Sequence, residues 1–106
     1  SDAVNSFTLD GDVRWISRDD RISTMNSTTI LKNAGVETTT QWFDGQKYTL
    51  SCDTLIQMLQ ALEIYALTCY NVTEEHKAAV NALTTIEEVD AYDYTTDYPE
   101  KLSFDV

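Results

Sequence analysis

The sequence has few of the residues from which most catalytic and metal sites are built. Its 106 residues include one histidine, two cysteines, three glycines and one proline. A closed zinc site takes about four Cys, His or acidic ligands, and Cys52, Cys69 and His76 do not supply such a set. None of the glycines stands in a phosphate-binding pattern, so no nucleotide loop is predicted. We therefore expect no catalytic residues, no cofactor and no metal, in a protein that is not an enzyme.

Basic residues are also scarce. The chain has 7 Lys and Arg residues against 18 Asp and Glu residues, a formal net charge of −11. Affinity for nucleic acid and for anionic membrane surfaces comes mostly from Lys and Arg, and no apolar run approaches the roughly 20 residues of a membrane-spanning helix. The composition thus predicts neither a nucleic-acid partner nor a membrane. A protein partner, a cation or simple solubility remain as reasons for the charge.

One pattern of strand, Asp-Gly, strand, Ser and helix occurs twice, 34 positions apart. Asp10-Gly11 and Asp44-Gly45 each separate short stretches of alternating apolar residues, which is a strong signal for a hairpin with a type I′ turn. Ser17 and Ser51 follow as residues that favour the N-cap of a helix. The sequence therefore predicts an α+β fold of two ββα pseudo-repeats, over about residues 6–35 and 39–83, with a small antiparallel sheet packed on a long helix.

The second predicted helix carries the clearest periodicity of the chain. From Cys52 to about Leu83 there is no Gly or Pro. Steps of four and three give a heptad seam of Leu55, Leu59, Leu62, Ala66, Cys69, Thr73, His76, Val80 and Leu83. A break near Asn71-Val72-Thr73 is the alternative to one continuous helix. We expect Leu55, Leu59, Leu62 and Ala66 to form the core together with Trp15 and Trp42.

Several side chains are predicted from their position on a helix. The first helix should present an apolar face of Ile22, Met25, Thr29, Ile30 and Ala34, whereas Arg18 and Arg21 should form a surface charge network. Cys52 and Cys69 would lie about 25 Å apart on one helix, too far for a disulfide. Cys69 lies about 10 Å from His76 along the helix, so a catalytic Cys–His pair is not expected. His76 would instead be exposed or would pair across an interface.

The last part of the chain, residues 85–106, should be a short helix followed by an acidic, aromatic tail. Thr85-Ile86-Glu87-Glu88 is a capping box and starts a helix to about Ala91. The tail either packs back on the domain through its tyrosines or waits for a partner. Because alternating Tyr and Asp is typical of a partner-facing segment, we predict an interaction surface of Tyr92, Tyr94, Asp97 and Tyr98. The whole chain, 1–106, is predicted to be a single domain.

Three segments together resemble a known family. Trp42-x-Asp44-Gly45-x-x-Tyr48-x-Leu50-Ser51, the Leu-rich helix after it and the stretch Tyr92-Asp93-Tyr94-Thr95-Thr96 are similar to a domain of unknown function found in bacteriophage tail proteins, DUF4376. The resemblance implies a non-enzymatic structural or interaction module of a tail or tail-fibre protein. Its partners would be other phage tail proteins, with a homotrimer as one form of assembly. It would reside in the virion tail, and in the host cytoplasm during assembly.

Two alternative functions follow from the same pattern. The chain could be an assembly chaperone or adaptor that binds a tail-fibre protein transiently. It could also be a receptor or carbohydrate recognition domain, because exposed tryptophans on hairpins suit sugars. The resemblance supplies no catalytic residues.

Overall fold

A computed structural model describes residues 2–106, with side chains from Val4 onward. A short 3-10 helix at Asp2–Asn5 precedes eight elements: β1 (Ser6–Leu9), β2 (Asp12–Trp15), α1 (Arg18–Asn33), β3 (Thr38–Phe43), β4 (Gln46–Ser51), α2 (Cys52–Asn81), α3 (Ile86–Ala91) and β5 (Ser103–Phe104). The predicted α+β class, with its two ββα units, long helix and short C-terminal helix, is confirmed.

The turns and helix starts form as their local chemistry predicts. Asp10, Gly11, Asp44 and Gly45 all have positive φ, which a type I′ turn requires at both central positions. The hydroxyl of Ser51 accepts a hydrogen bond from the Thr54 backbone N–H at 3.0 Å. Ser17 caps α1 and Thr85 caps α3 in the same way. Each cap satisfies a backbone donor that would otherwise have no partner in the first helical turn.

The strands form two small sheets. One has the order β2-β1-β5 and the other pairs β3 with β4. The two hairpins are antiparallel, as predicted, but β5 adds to the edge of β1 in parallel. The tail therefore packs back on the domain, through a strand of two residues that the sequence did not indicate. Leu102 and Phe104 pack against the core beside this strand.

The core lies between the sheets and the first half of α2. Its buried members are Phe7, Leu9, Ile16, Phe43, Leu50, Leu55, Met58, Leu59 and Leu62. The predicted contributions of Leu55, Leu59 and Leu62 are confirmed, and Ala66 is half-buried. Trp15 and Trp42 were expected here and this prediction is wrong, because they are 40% and 60% exposed.

The hairpin register explains why the tryptophans lie outside. Residues directly opposite each other on two paired strands share one face of the sheet. Phe7 is opposite Arg14, and Ser6 is opposite Trp15. With Phe7 and Leu9 buried, the two-residue turn directs Trp15 to the outer face. Trp42 precedes the buried Phe43, so it points away from the core.

Helix α1 is rotated about its axis relative to the prediction. Its buried residues are Arg21 and Thr28, and Met25 packs against the core. This set has the spacing i, i+4, i+7 of one helix face. Ile22 and Ile30 lie beside it, more than half exposed. The buried face therefore includes Arg21 and Thr28, each one residue before the predicted Ile22 and Thr29.

Helix α2 is continuous, with no break at Asn71–Thr73. Five of the nine residues of its heptad seam are buried within one chain: Leu55, Leu59, Leu62, Cys69 and His76. The other four are half-buried: Ala66, Thr73, Val80 and Leu83. Cys52 and Cys69 lie on this helix as free thiols, as predicted, and both are buried. Within residues 2–106, no helix combines the length and the apolar character that crossing a membrane requires.

The two ββα units contact each other through side chains of their hairpins. Arg14 Nε donates a hydrogen bond to the Tyr48 hydroxyl at 2.9 Å, and these two residues are themselves 34 positions apart. The Trp15 backbone N–H donates to Asp44 Oδ2 at 3.1 Å. The molecule is elongated, 59 × 27 × 18 Å, with a radius of gyration of 17.7 Å. A compact domain of 100 residues has about 13 Å, so much of α2 extends beyond the sheets.

Candidate interaction surface

A groove of about 640 Å³ runs along the middle of α2, where the helix leaves the core. Its floor and walls come from the chain's first residues, α1, α2 and the C-terminal tail. The lining residues are Val4, Asn5, Arg18, Arg21, Tyr65, Ala66, Cys69, Tyr70, Thr73, Glu74, Lys77, Tyr98 and Lys101. On α2 it extends from Tyr65 to Lys77, about 18 Å at 1.5 Å per residue.

The groove concentrates the few basic residues of the protein. Arg18, Arg21, Lys77 and Lys101 are four of the seven Lys and Arg residues in the chain. Glu74 lies in the lining, and Lys77 Nζ contacts its Oε1 at 3.2 Å. A second carboxylate, that of Glu63, contacts both arginines. In the ion pairs described for this groove, the carboxylates are those of Glu63 and Glu74, in a protein whose net charge is −11.

Arg21 is the most deeply buried basic residue that lines the groove. It is 97% buried, since its exposed fraction is 3%. Its Nη1 donates to Asn5 Oδ1 at 2.7 Å and to the Ile16 carbonyl at 3.3 Å. Its Nη2 reaches Glu63 Oε2 only at 3.4 Å, longer than the 2.7–2.9 Å or so of a strong charge-assisted bond. In the described part of the chain, Arg21 Nε is a buried donor without a hydrogen-bond partner.

The surface charge network predicted for Arg18 and Arg21 is therefore wrong for Arg21. Arg18 does lie at the surface, with a side chain 68% exposed, but its Nε contacts Glu63 of α2 at 3.4 Å rather than the neighbouring Asp19 or Asp20. One turn of α1 places the two arginines on adjacent positions of the same face. Both thus contribute to the groove.

Tyrosines form the remaining walls. Tyr65 is buried, and burial, followed by a hydrogen bond with Cys69, raises the pKa of its phenol. Lys101 Nζ lies 5.9 Å from the centre of the Tyr65 ring, within range of a cation–π interaction. Tyr70 is 62% exposed on the outer wall. The groove therefore combines fixed cations with aromatic surface.

His76 holds the tail against the outer half of α2. It is buried, with Nε2 at 2.8 Å from the Thr96 carbonyl and Nδ1 at 2.6 Å from the Tyr92 hydroxyl. A carbonyl only accepts, so Nε2 donates, and in a neutral ring Nδ1 accepts from Tyr92. Neither predicted alternative, an exposed histidine or one that pairs across an interface, is found. The histidine instead pairs within its own chain.

The four predicted interaction residues all lie on this tail, in different environments. Tyr92 is half-buried and packs its ring against His76 at 5.5 Å. Tyr98 is 39% exposed and its hydroxyl lies 2.7 Å from Thr73 Oγ1. Tyr94 is 59% exposed, and Asp97 is exposed with positive φ. Tyr94 and Tyr98 line a second cavity of about 490 Å³ beside His76. It shares Thr73, Lys77 and Tyr98 with the groove.

The two exposed tryptophans line a separate, smaller cleft. Trp15 and Trp42 lie around a cavity of about 320 Å³ with Asp20, Gln41 and Asp44 in its lining. Aromatic surface beside polar groups is an arrangement that suits a sugar. Within residues 2–106, no group of three or more His, Cys, Asp or Glu side chains could hold a metal ion.

Comparison with known proteins identifies the family. A family model described as a domain of unknown function, DUF4376, matches residues 2–96. The chain belongs to the DUF4376 family. Neither a curated protein nor a solved structure matches it.

The DUF4376 match covers both ββα units, α3 and the tail as far as Thr96. Tyr98, Lys101 and β5 lie beyond it. In this DUF4376 domain, the tail tyrosines stay a prediction from the sequence, and the basic groove was not predicted because its residues come from distant segments. The one signal that could have pointed to Arg21 is the repeat, in which Arg21 aligns with Leu55, a residue of the core.

Proposed function

We propose that this DUF4376 domain is a non-enzymatic structural and interaction module of a bacteriophage tail or tail-fibre protein. The observation that carries the proposal is the groove along α2, where four cations and exposed aromatic surface meet on the extended part of the molecule. Tyr and Arg are enriched at protein interfaces. The phage context comes from the family resemblance. The partners would be other phage tail proteins, first in the host cytoplasm during assembly and then in the virion tail.

Electron microscopy of the phage that encodes the chain tests this proposal. Purified virions are labelled with gold-conjugated antibody raised against the 106-residue chain. We expect gold particles at the tail, and we expect none after the antibody is preabsorbed with the chain. Label confined to the capsid would contradict the proposal.

The assembly chaperone or adaptor gives a different result in the same experiment. A transient factor would be present in infected-cell extracts and absent from purified virions. Immunoblots of both fractions with the same antibody therefore separate a structural component from a chaperone.

Carbohydrate recognition is the second candidate function, and the exposed Trp15 and Trp42 favour it. Their indole rings line the 320 Å³ cleft with Asp20, Gln41 and Asp44. Titration of the ¹⁵N-labelled chain with a panel of glycans tests it through the two indole N–H signals. Shifts of both indole signals in the unmodified chain would support it. In a Trp42→Ala variant at the same glycan concentration, the Trp15 indole signal should then no longer shift. Unchanged indole signals across the panel would reject it.

The oligomeric state needs its own measurement. A homotrimer is one form of assembly that the family resemblance implies, but Leu55, Leu59 and Leu62 of the heptad seam are buried within one chain. A trimer would therefore have to use residues other than these three. Light scattering after gel filtration gives the absolute mass, with 12.0 kDa expected for a monomer.

A further inference from the structure

We propose that the groove along α2 binds an acidic polypeptide segment of a partner protein, whose carboxylates contact Arg21, Arg18 and Lys77. This inference rests on the proposed function as an interaction module and names the chemistry of the partner. The established observations are the buried, incompletely bonded Arg21 and the clustering of basic residues in one groove.

Arg21 presents an unused recognition edge. A guanidinium binds a carboxylate through two parallel N–H groups, and Nε with Nη2 forms one such edge. Among the residues whose side chains the structure describes, Nε of Arg21 has no hydrogen-bond partner, and Nη2 has the 3.4 Å contact with Glu63. Nη1 is held by Asn5 and the Ile16 carbonyl, which fixes the plane of the group. A buried guanidinium is normally fully bonded, so this edge is the place for an incoming carboxylate.

Glu63 is the residue that such a carboxylate would replace. Its side chain is 44% exposed, and both of its contacts with arginine are 3.4 Å long. The contact with Arg18 is an exposed ion pair and contributes little. The contact with the buried Arg21 can be given up only in exchange for another anion, because the guanidinium charge would otherwise be left unpaired. When Glu63 turns toward solvent, the incoming carboxylate takes its place beside Arg21 and Arg18.

The shape and charge of the groove favour a short peptide segment over a long polyanion. Arg18 and Arg21 lie at one end and Lys77 at the other, along about 18 Å of helix, the length of about five residues of extended chain. A nucleic acid or long polyanionic chain would also meet the rest of a protein with net charge −11, and repulsion would oppose its approach. A local acidic segment meets only the basic groove.

Peptide selection with the full chain tests the proposal. A random dodecapeptide display library is selected against the wild-type chain, and the enriched peptides are synthesised and measured by fluorescence anisotropy. Two double variants are compared with wild type, Arg18→Glu/Lys77→Glu in the groove and Lys32→Glu/Lys47→Glu outside it. All four residues are exposed or have exposed side chains, so both variants should fold. The two variants have the same net charge.

We expect peptides rich in Asp and Glu that bind the control variant within about twofold of wild type. We expect the groove variant to bind them about tenfold or more weakly. Selected peptides without acidic enrichment, or equal loss of binding in both variants, would overturn the proposal. Displacement of the peptide by inorganic polyphosphate at equal charge concentration would overturn the claim that the groove prefers an acidic polypeptide to other polyanions. These outcomes concern the groove alone, whereas gold labelling of virions tests the tail assignment independently.

Discussion

Replacing Leu59 with alanine should destabilise the domain strongly, because this side chain lies at the centre of the core. Leu59 is 2% exposed and belongs to the cluster between the sheets and α2. Truncation removes apolar surface from contact and leaves a cavity that its neighbours fill only in part. Leucine-to-alanine substitutions at such positions cost about 2–5 kcal/mol. Against a total stability of about 5–15 kcal/mol for a domain, this is a large fraction.

Leu67 provides a matched control on the same helix. It is 57% exposed, so Leu67→Ala makes the same chemical change without opening a cavity, and alanine is a good helix former. We expect a change below about 0.5 kcal/mol. Urea unfolding followed by circular dichroism measures both variants, with m-values compared to check that the transition stays two-state.

The contrast between the two leucines is what can refute the reasoning. A change below about 0.5 kcal/mol for Leu59→Ala would show that α2 does not face the sheets as described. An equal, large loss for Leu67→Ala would show that its exposed face is covered, and would point to an oligomer that buries it.

Three further predictions concern the tail, β5 and α3. His76→Ala should remove both hydrogen bonds that hold the tail, so amide hydrogen exchange should rise in residues 92–98 and stay unchanged in 46–51; equal exchange in both proteins would contradict the clamp. Phe104→Ala should cost about 1–3 kcal/mol, because its ring packs on Phe7 at 5.9 Å and on the core; an unchanged urea midpoint would show that β5 does not dock. Hydrogen bonds from Thr85, then Thr84, lower the pKa of Glu88 from 4.5. The stability that these hydrogen bonds contribute is therefore present above pH 4.5 and is lost as the pH falls through the lowered pKa. In Thr85→Ala the Glu88 midpoint, followed by NMR, should move up toward 4.5, and a midpoint that does not move would refute the capping box.

The features that the sequence predicted well are those set by neighbouring residues. Asp-Gly supplies the positive φ of a type I′ turn, and Ser51 caps a helix with its own hydroxyl. The α2 seam was visible because its apolar residues repeat over several turns. None of these depends on a distant part of the chain.

The outer position of the tryptophans could have been predicted and was missed. A two-residue turn at Asp10-Gly11 fixes which residues are opposite each other, so Phe7 and Trp15 cannot share a face. The alternating apolar residues of the two strands suggested that Phe7 and Trp15 both face the core, which this register does not allow. The register decided the outcome, and it placed a tryptophan of each hairpin in one cleft.

The basic groove and β5 could not be predicted from local patterns. Arg21 occupies a buried position that the pattern of apolar residues does not reveal, and its partners Asn5 and Glu63 are 16 and 42 positions away. β5 pairs only two residues with β1, which is too short for a periodic signal. Both features arise when the two ends of the chain meet beside α2.

Site-specific cross-linking during infection is the most direct test of the central claim, that the groove is the contact surface of a tail module. A photoreactive amino acid replaces Tyr70 on the groove wall or, as a control, Ile30 on α1, which is 59% exposed and does not line the groove. The account predicts cross-links from position 70 to an acidic segment of another tail protein, identified by mass spectrometry, and none from position 30. Cross-links from position 30 with none from position 70 would contradict it.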